Sequence, residues 1–154
     1  MDNQQRFITS NSLTIAVDFD GTIVEHAYPR IGKEMMFAFD SLKALQRKGH
    51  KLLLWTIREG VLLDEAVEYC RANGVEFYAV NASYPEETRE NMSSRKLQAD
   101  LYIDDRNIGG FPGWGEIWNM LYPNGDELDY QLKNPDAHNN FKKKGFFNKI
   151  FRKK

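Results

Sequence analysis

"IAVDFDGTIVEH", residues 15–26, runs a β-branched apolar stretch straight into two aspartates, a glycine and a threonine. Carboxylates at the end of a buried strand are costly unless a cation or hydrogen bonds compensate them. The junction at Asp18 therefore implies a chemical use. On an extended strand, positions i and i+2 point the same way. Asp18 and Asp20 then share one side while Phe19 turns into the core, and Gly21 permits a sharp exit turn that keeps the two acids close.

The same alternation continues downstream. "LTIAV" (13–17) reads as a buried strand, and "GKEMMFAFDSLKALQRKG" (32–49) as a helix with Met36, Phe39, Leu42 and Leu45 at helical spacing and Gly49 as its stop. "KLLLWT" (51–56) is a second strand, and "VLLDEAVEYCRANG" (61–74) a helix closed by Asn73-Gly74. "VEFYAVN" (75–81) and "DLYIDD" (100–105) are further strands, and "GWGEIWNMLY" (113–122) opens another helix. The polar stretch 82–96 reads as a loop with a short helix. Apolar strands alternating with helices predict an α/β fold: a three-layer, Rossmann-like arrangement with a mostly parallel central sheet flanked by helices and right-handed crossovers. One domain covers 1–123. Beyond it, 124–154 reads as an irregular linker and a basic tail.

Three of the strands end in polar groups. The first ends in Asp18-Phe19-Asp20-Gly21-Thr22, the second in Thr56 and the fourth in Asp104-Asp105. In an open parallel sheet the carboxyl ends of the strands line the edge where ligands bind. Two acidic pairs meeting there would repel each other without a cation between them, and a hard dication with oxygen ligands, Mg²⁺ by preference, answers that.

With these residues in place, the chain resembles the haloacid dehalogenase-like hydrolase superfamily. "DFDGT" (18–22) is similar to its first motif, "LLLWT" (52–56) to its second, Lys96 to the third-motif lysine and Asp104-Asp105 to the fourth-motif acidic pair. The resemblance implies an Mg²⁺-dependent phosphohydrolase, a phosphomonoesterase in which Asp18 becomes an aspartyl-phosphate. Asp20 would be the general acid and base, and would touch the metal through its main-chain carbonyl. Lys96 would neutralise Asp18 and the transferring group. Thr56, with the backbone of Ile57, Gly21 and Thr22, would hold the phosphoryl oxygens. Asp18 and Asp104 would ligate the metal, with Asp105 a ligand or one hydrogen bond removed from it. Arg95 competes with Lys96 for that role, and the superfamily's spacing from its lysine to the Ala-Asp that follows favours Lys96. Arg58 lies outside the superfamily motifs and reads either as a clamp on a substrate anion or as an exposed loop arginine. The gaps between motifs leave no room for a large cap domain. The site would be open, with a phosphorylated substrate of either small or large size and a homo-oligomer both compatible. The alternative is a non-catalytic metal- or phosphate-binding module.

Composition sets the frame. The chain has 154 residues, 42% of them hydrophobic, and no apolar run near the ~20 residues that span a bilayer. The opening residues show no secretory signal pattern. The single cysteine, Cys70, reads as an inert helix residue and fits a reducing cytoplasm. His26, His50 and His138 lack ligand spacing and read as non-ligands, with His26 nearest the first motif. Trp55, Trp114 and Trp118 read as core, and the glycine-rich 109–115 as a rim of the crevice. Net charge is −1, yet seven Lys/Arg and no acid fall within 142–154, so the body is acidic and the tail basic. In that tail Phe146, Phe147, Ile150 and Phe151 form a helical stripe. It suits either an anionic membrane surface or docking on the body, with nucleic acid a weaker third reading. The expected location is cytoplasmic, peripheral at the membrane on the first of these readings of 141–154.

Overall fold

The computed structural model describes residues 12–92 and 94–123. Its elements follow in the order β1 (Thr14–Val17), α1 (Ala38–Arg47), β2 (Lys51–Leu54), α2 (Gly60–Ala72), β3 (Ala79–Val80), β4 (Leu101–Ile103) and α3 (Trp114–Leu121). The strands form one open sheet in the order β3-β2-β1-β4. Every neighbouring pair is parallel. This is an α/β, Rossmann-like fold without a large cap. The expectations placed on 124–154, including the basic stripe of 141–154, lie outside the described residues. Among the described residues no helix is long and apolar enough to cross a membrane.

Both faces of the sheet are covered, by different means. Ile15, Val17, Leu52, Leu54 and Ile103 pack with buried residues of all three helices, from Leu42 of α1 to Cys70 of α2 and Trp118 of α3. Ala16, Leu53 and Ala79, which alternate with them, pack instead with Leu97 and with the half-buried Trp55 and Tyr102. Handedness explains the division. Moving from β1 to β2 to β3 by right-handed crossovers puts α1 and α2 on one face, and the return from β3 to β4 must cross the other. That return is residues 81–100, and they contain no helix among the described residues, contrary to the short helix expected within 82–96. Polar, glycine-free but non-periodic sequence gave no apolar stripe to bury there.

Two boundaries also differ from expectation. α1 starts at Ala38, not near Gly32, because Phe37 sits in the left-handed region (φ 64°) and turns the chain into the helix. Met36 is consequently exposed, while Phe39, Leu42 and Leu45 are buried as expected. β3 is two residues long, Ala79 and Val80 lying opposite Leu53 and Leu54, with the Tyr78 N–H still donating to the Leu52 carbonyl at 2.8 Å just before it.

Candidate functional site

β1 and β4 lie side by side with Val17 opposite Ile103, so their next residues leave the sheet together. The Asp18 N–H donates to the Ile103 carbonyl at 2.9 Å. This is the point where the strand order reverses, β2 lying on one side of β1 and β4 on the other. Asp18, Asp104 and Asp105 each offer a carboxylate oxygen here, all within 4.8 Å of one another.

Such crowding has an electrostatic result. Burial, and then the charges of Asp104, Asp105 and Asp20, push the Asp18 carboxyl up to about 7, against the pull of the Phe19 N–H. Among the described residues no cationic side chain offsets this for Asp18. Lys96 is exposed, with its Nζ 5.1 Å from the Tyr102 ring centroid, and it forms no ion pair among the described residues. The structure thus brings the four acids of the sequence pattern to one edge and leaves Lys96 beside Tyr102.

Asp20 is the acid with a cation of its own. It is buried, and Arg58 Nε–H and Nη2–H donate to its two oxygens at 2.8 and 2.7 Å. Arg58 also donates to the carbonyls of Pro29 (2.9 Å) and Arg30 (2.8 Å). Its guanidinium carbon lies 5.0 Å from the Phe19 ring centroid and 5.3 Å from that of Tyr28. Arg58 is fully buried, so it is not the exposed loop arginine of the sequence reading. Its fork is engaged by Asp20 and by the two carbonyls. No local signal distinguished a buried arginine 38 residues along from its acid.

The strap that Arg58 holds grows out of the first motif. Thr22, Ile23 and Val24 all turn their N–H groups onto the Phe19 carbonyl, and the chain then folds back, with Glu25 N–H on Lys33 O and Met35 N–H on Ile23 O. Gly32 allows this crossing: a Cβ there would stand 1.9 Å from the Glu25 carbonyl oxygen. Gly21 (φ 88°) serves a second close approach, since its Cβ would meet His26 Nε2 at 2.4 Å and Asp105 Oδ2 at 2.5 Å. Those two atoms lie 2.6 Å apart. Burial pushes Asp105 up, but the hydrogen bond from His26, the adjoining Asp104 side chain, and the charges of His26 and Arg106 outweigh it and leave the carboxyl below its ordinary value.

Of the expected phosphate-holding groups, Thr56 is half-buried and its Oγ1 accepts the Arg58 N–H at 3.2 Å. The Ile57 N–H donates to nothing among the described residues, and its side chain is exposed. Thr22, expected to contribute its backbone, has its side chain turned inward. It is fully buried, with its hydroxyl lacking a partner among the described residues, while its carbonyl accepts from Trp114 Nε1 at 2.8 Å. It locks α3 under the motif turn and presents no hydroxyl to a ligand. Asn81 is the residue that sequence reasoning passed over: its Oδ1 accepts the Thr56 N–H at 2.8 Å from a left-handed backbone (φ 49°) that Asn tolerates. The signal was present in "YAVN", a polar residue closing β3 as Thr56 follows β2. A groove of about 580 Å³ runs along the outer edge of β4, lined by Tyr102, Phe111, Ile117 and Leu121, and reaches the acidic cluster at Asp104.

A scan against protein-family models finds no match for the chain, and neither does a search of curated proteins. Among solved structures, that of the conserved protein coded by locus from Bacteroides thetaiotaomicron is 60% identical in sequence, with 77% of this chain and 97% of that one covered and a TM-score of 0.70. The chain belongs to that protein's family. Nearly all of the Bacteroides chain falls within the likeness.

Proposed function

We propose that the chain is an Mg²⁺-dependent phosphohydrolase, a phosphomonoesterase working through an aspartyl-phosphate on Asp18. The observation that carries this is the meeting of Asp18, Asp104 and Asp105 at the β1/β4 switch point, where His26 pairs with Asp105 but no lysine or arginine pairs with Asp18 among the described residues. The donor set suits a hard dication. All the donors are oxygens, Asp105 Oδ1 is buried without a hydrogen-bond partner among the described residues, and no hydrogen bond among them ends on the Asp20 carbonyl. Asp18, Asp104 and the Asp20 carbonyl would hold the ion, with Asp105 at or next to it. Bound there, Mg²⁺ would supply the positive charge that lets an anionic nucleophile approach an anionic phosphate.

The chain's own groups would do the rest. An Asp18 oxygen attacks phosphorus, and its O–P bond forms as the bond to the leaving oxygen breaks. Asp20 gives that oxygen a proton and regains one from the water that cleaves the aspartyl-phosphate, releasing phosphate. To do so it must free one oxygen from Arg58, which otherwise fixes its position. Thr56 and the Ile57 N–H would face the phosphoryl oxygens. Lys96 would turn from Tyr102 toward Asp18. The absence of a transmembrane-length helix among the described residues and the single buried cysteine support a cytoplasmic setting.

Two observations favour a second reading, a metal- or phosphate-binding module without turnover: the double hold of Arg58 on Asp20 and the placement of the Lys96 ammonium over the Tyr102 ring, with no ion pair among the described residues. Phosphate release from a broad panel of phosphomonoesters, with and without Mg²⁺, separates the two. The enzyme reading expects Mg²⁺-dependent release that Asp18→Asn abolishes, and beryllium fluoride bound on Asp18. Release that survives in Asp18→Asn would overturn it.

A further inference from the structure

The two oxygens of Asp105 have different surroundings. Oδ2 lies 2.6 Å from His26 Nε2, whereas Oδ1 is buried and has no hydrogen-bond partner among the described residues. An ionised carboxylate can only accept, so His26 Nε2 carries the hydrogen and donates it. A carboxylate pinned at one oxygen by a ring N–H loses its freedom to rotate, and the other oxygen is left for a different partner. The pin is itself held in place. His26 follows Glu25, whose N–H is bound to Lys33 O, and Gly21 leaves open the space in which the ring and the carboxylate meet. Any side chain at position 21 would occupy that space, since its Cβ would lie 2.4 Å from the ring nitrogen and 2.5 Å from the carboxylate oxygen.

We propose that His26 is a positioning residue whose Nε2–H fixes Asp105 so that Oδ1 ligates the divalent cation directly. This rests on the cation reading given above and adds to it a residue outside the four motifs. Groups that hold a metal ligand by its second atom commonly change metal affinity about 10- to 100-fold when removed.

The test is Mg²⁺ titration by isothermal calorimetry into the full chain and into His26→Leu, His26→Gln and Asp105→Asn. His26→Leu should weaken binding about 10- to 100-fold. His26→Gln, whose amide N–H reaches about as far as the ring nitrogen, should restore most of it. Asp105→Asn should weaken binding at least as much as His26→Leu, and the double variant should be little worse than Asp105→Asn alone. Wild-type affinity in His26→Leu would overturn the positioning role and leave the cation site standing. Equal weakness in His26→Gln and His26→Leu would also overturn it, because the N–H would then not be the reason. Failure of the unaltered chain to bind Mg²⁺ would overturn this proposal and the cation reading together.

Discussion

At the scale of single residues, two carboxylates two positions apart have opposite fates. Asp18 ends a strand in half-buried surroundings among other acids, and Asp20 turns inward onto a buried guanidinium. Asp18 stays protonated in the fold up to about pH 7, whereas in the unfolded chain it ionises near the model-peptide value of 3.8. The folded state thus holds the extra proton between those values, and its contribution to stability is lost as pH rises through about 7. In EDTA, Asp18→Asn should therefore be the more stable protein at pH 8, by on the order of 1–2 kcal/mol once solvent screening is discounted. It should match wild type near pH 4. Urea midpoints at the two pH values measure this. Arg58→Met should be destabilised by about 3–5 kcal/mol, because it strands a buried carboxylate. The double variant Arg58→Met/Asp20→Leu should recover part of the loss, and additive losses would show that the pair is not coupled.

Among the elements, the strap between β1 and α1 decides the shape of the site. It has no regular secondary structure and is held by bonds from outside itself: Arg58 onto Pro29 and Arg30, and Lys33 and Ile23 across its base. Its crossing depends on one absent Cβ. Gly32→Ala places that carbon 1.9 Å from a backbone oxygen, where neither side can yield cheaply. We expect it to lower stability by ~1–3 kcal/mol and to speed hydrogen exchange at the Glu25 and Met35 amides. Leu42, on the α1 face toward the sheet, should show a core effect instead. Leu42→Ala should lower stability by ~2–5 kcal/mol without altering those amides. Normal exchange at Glu25 in Gly32→Ala would mean that the strap closes by another route.

Across the whole molecule, a second polar junction ties the sheet together at the end away from the acids. His50 Nδ1 accepts the Leu13 N–H at 3.0 Å, just before β1, and its Nε2 lies 2.7 Å from the Tyr122 hydroxyl, just past α3. Burial, and then the charge of Lys48, lower its pKa below the ordinary 6.5. The unfolded chain therefore takes up a proton before the fold does, and stability should fall as pH drops below about 6.5. Protonation would also remove the acceptor that Leu13 uses. His50→Gln should flatten that part of the stability curve between pH 6.5 and 5, as read by urea midpoints. An unchanged slope would place the titration elsewhere.

Sequence alone determined the order of the four strands and three helices and the acids at the strand ends, because burial period and strand termination are local properties of the chain. It also suggested a helix within 82–96 that the fold lacks among the described residues. "LTIAV" and "KLLLWT" could be little but buried strands, with Asp18 and Thr56 following them, and Asp104 following "LYI", at one edge of the sheet. What only tertiary structure decided is which groups face one another across that edge. Arg58 reaches Asp20 from 38 residues away, His26 reaches Asp105 from 79, and Lys96 rests over Tyr102. None of these pairings leaves a periodicity in the chain. They arise from strand order, which lays β4 against β1, and from two glycines, Gly21 and Gly32, whose missing side chains make room for contacts that no local pattern announces.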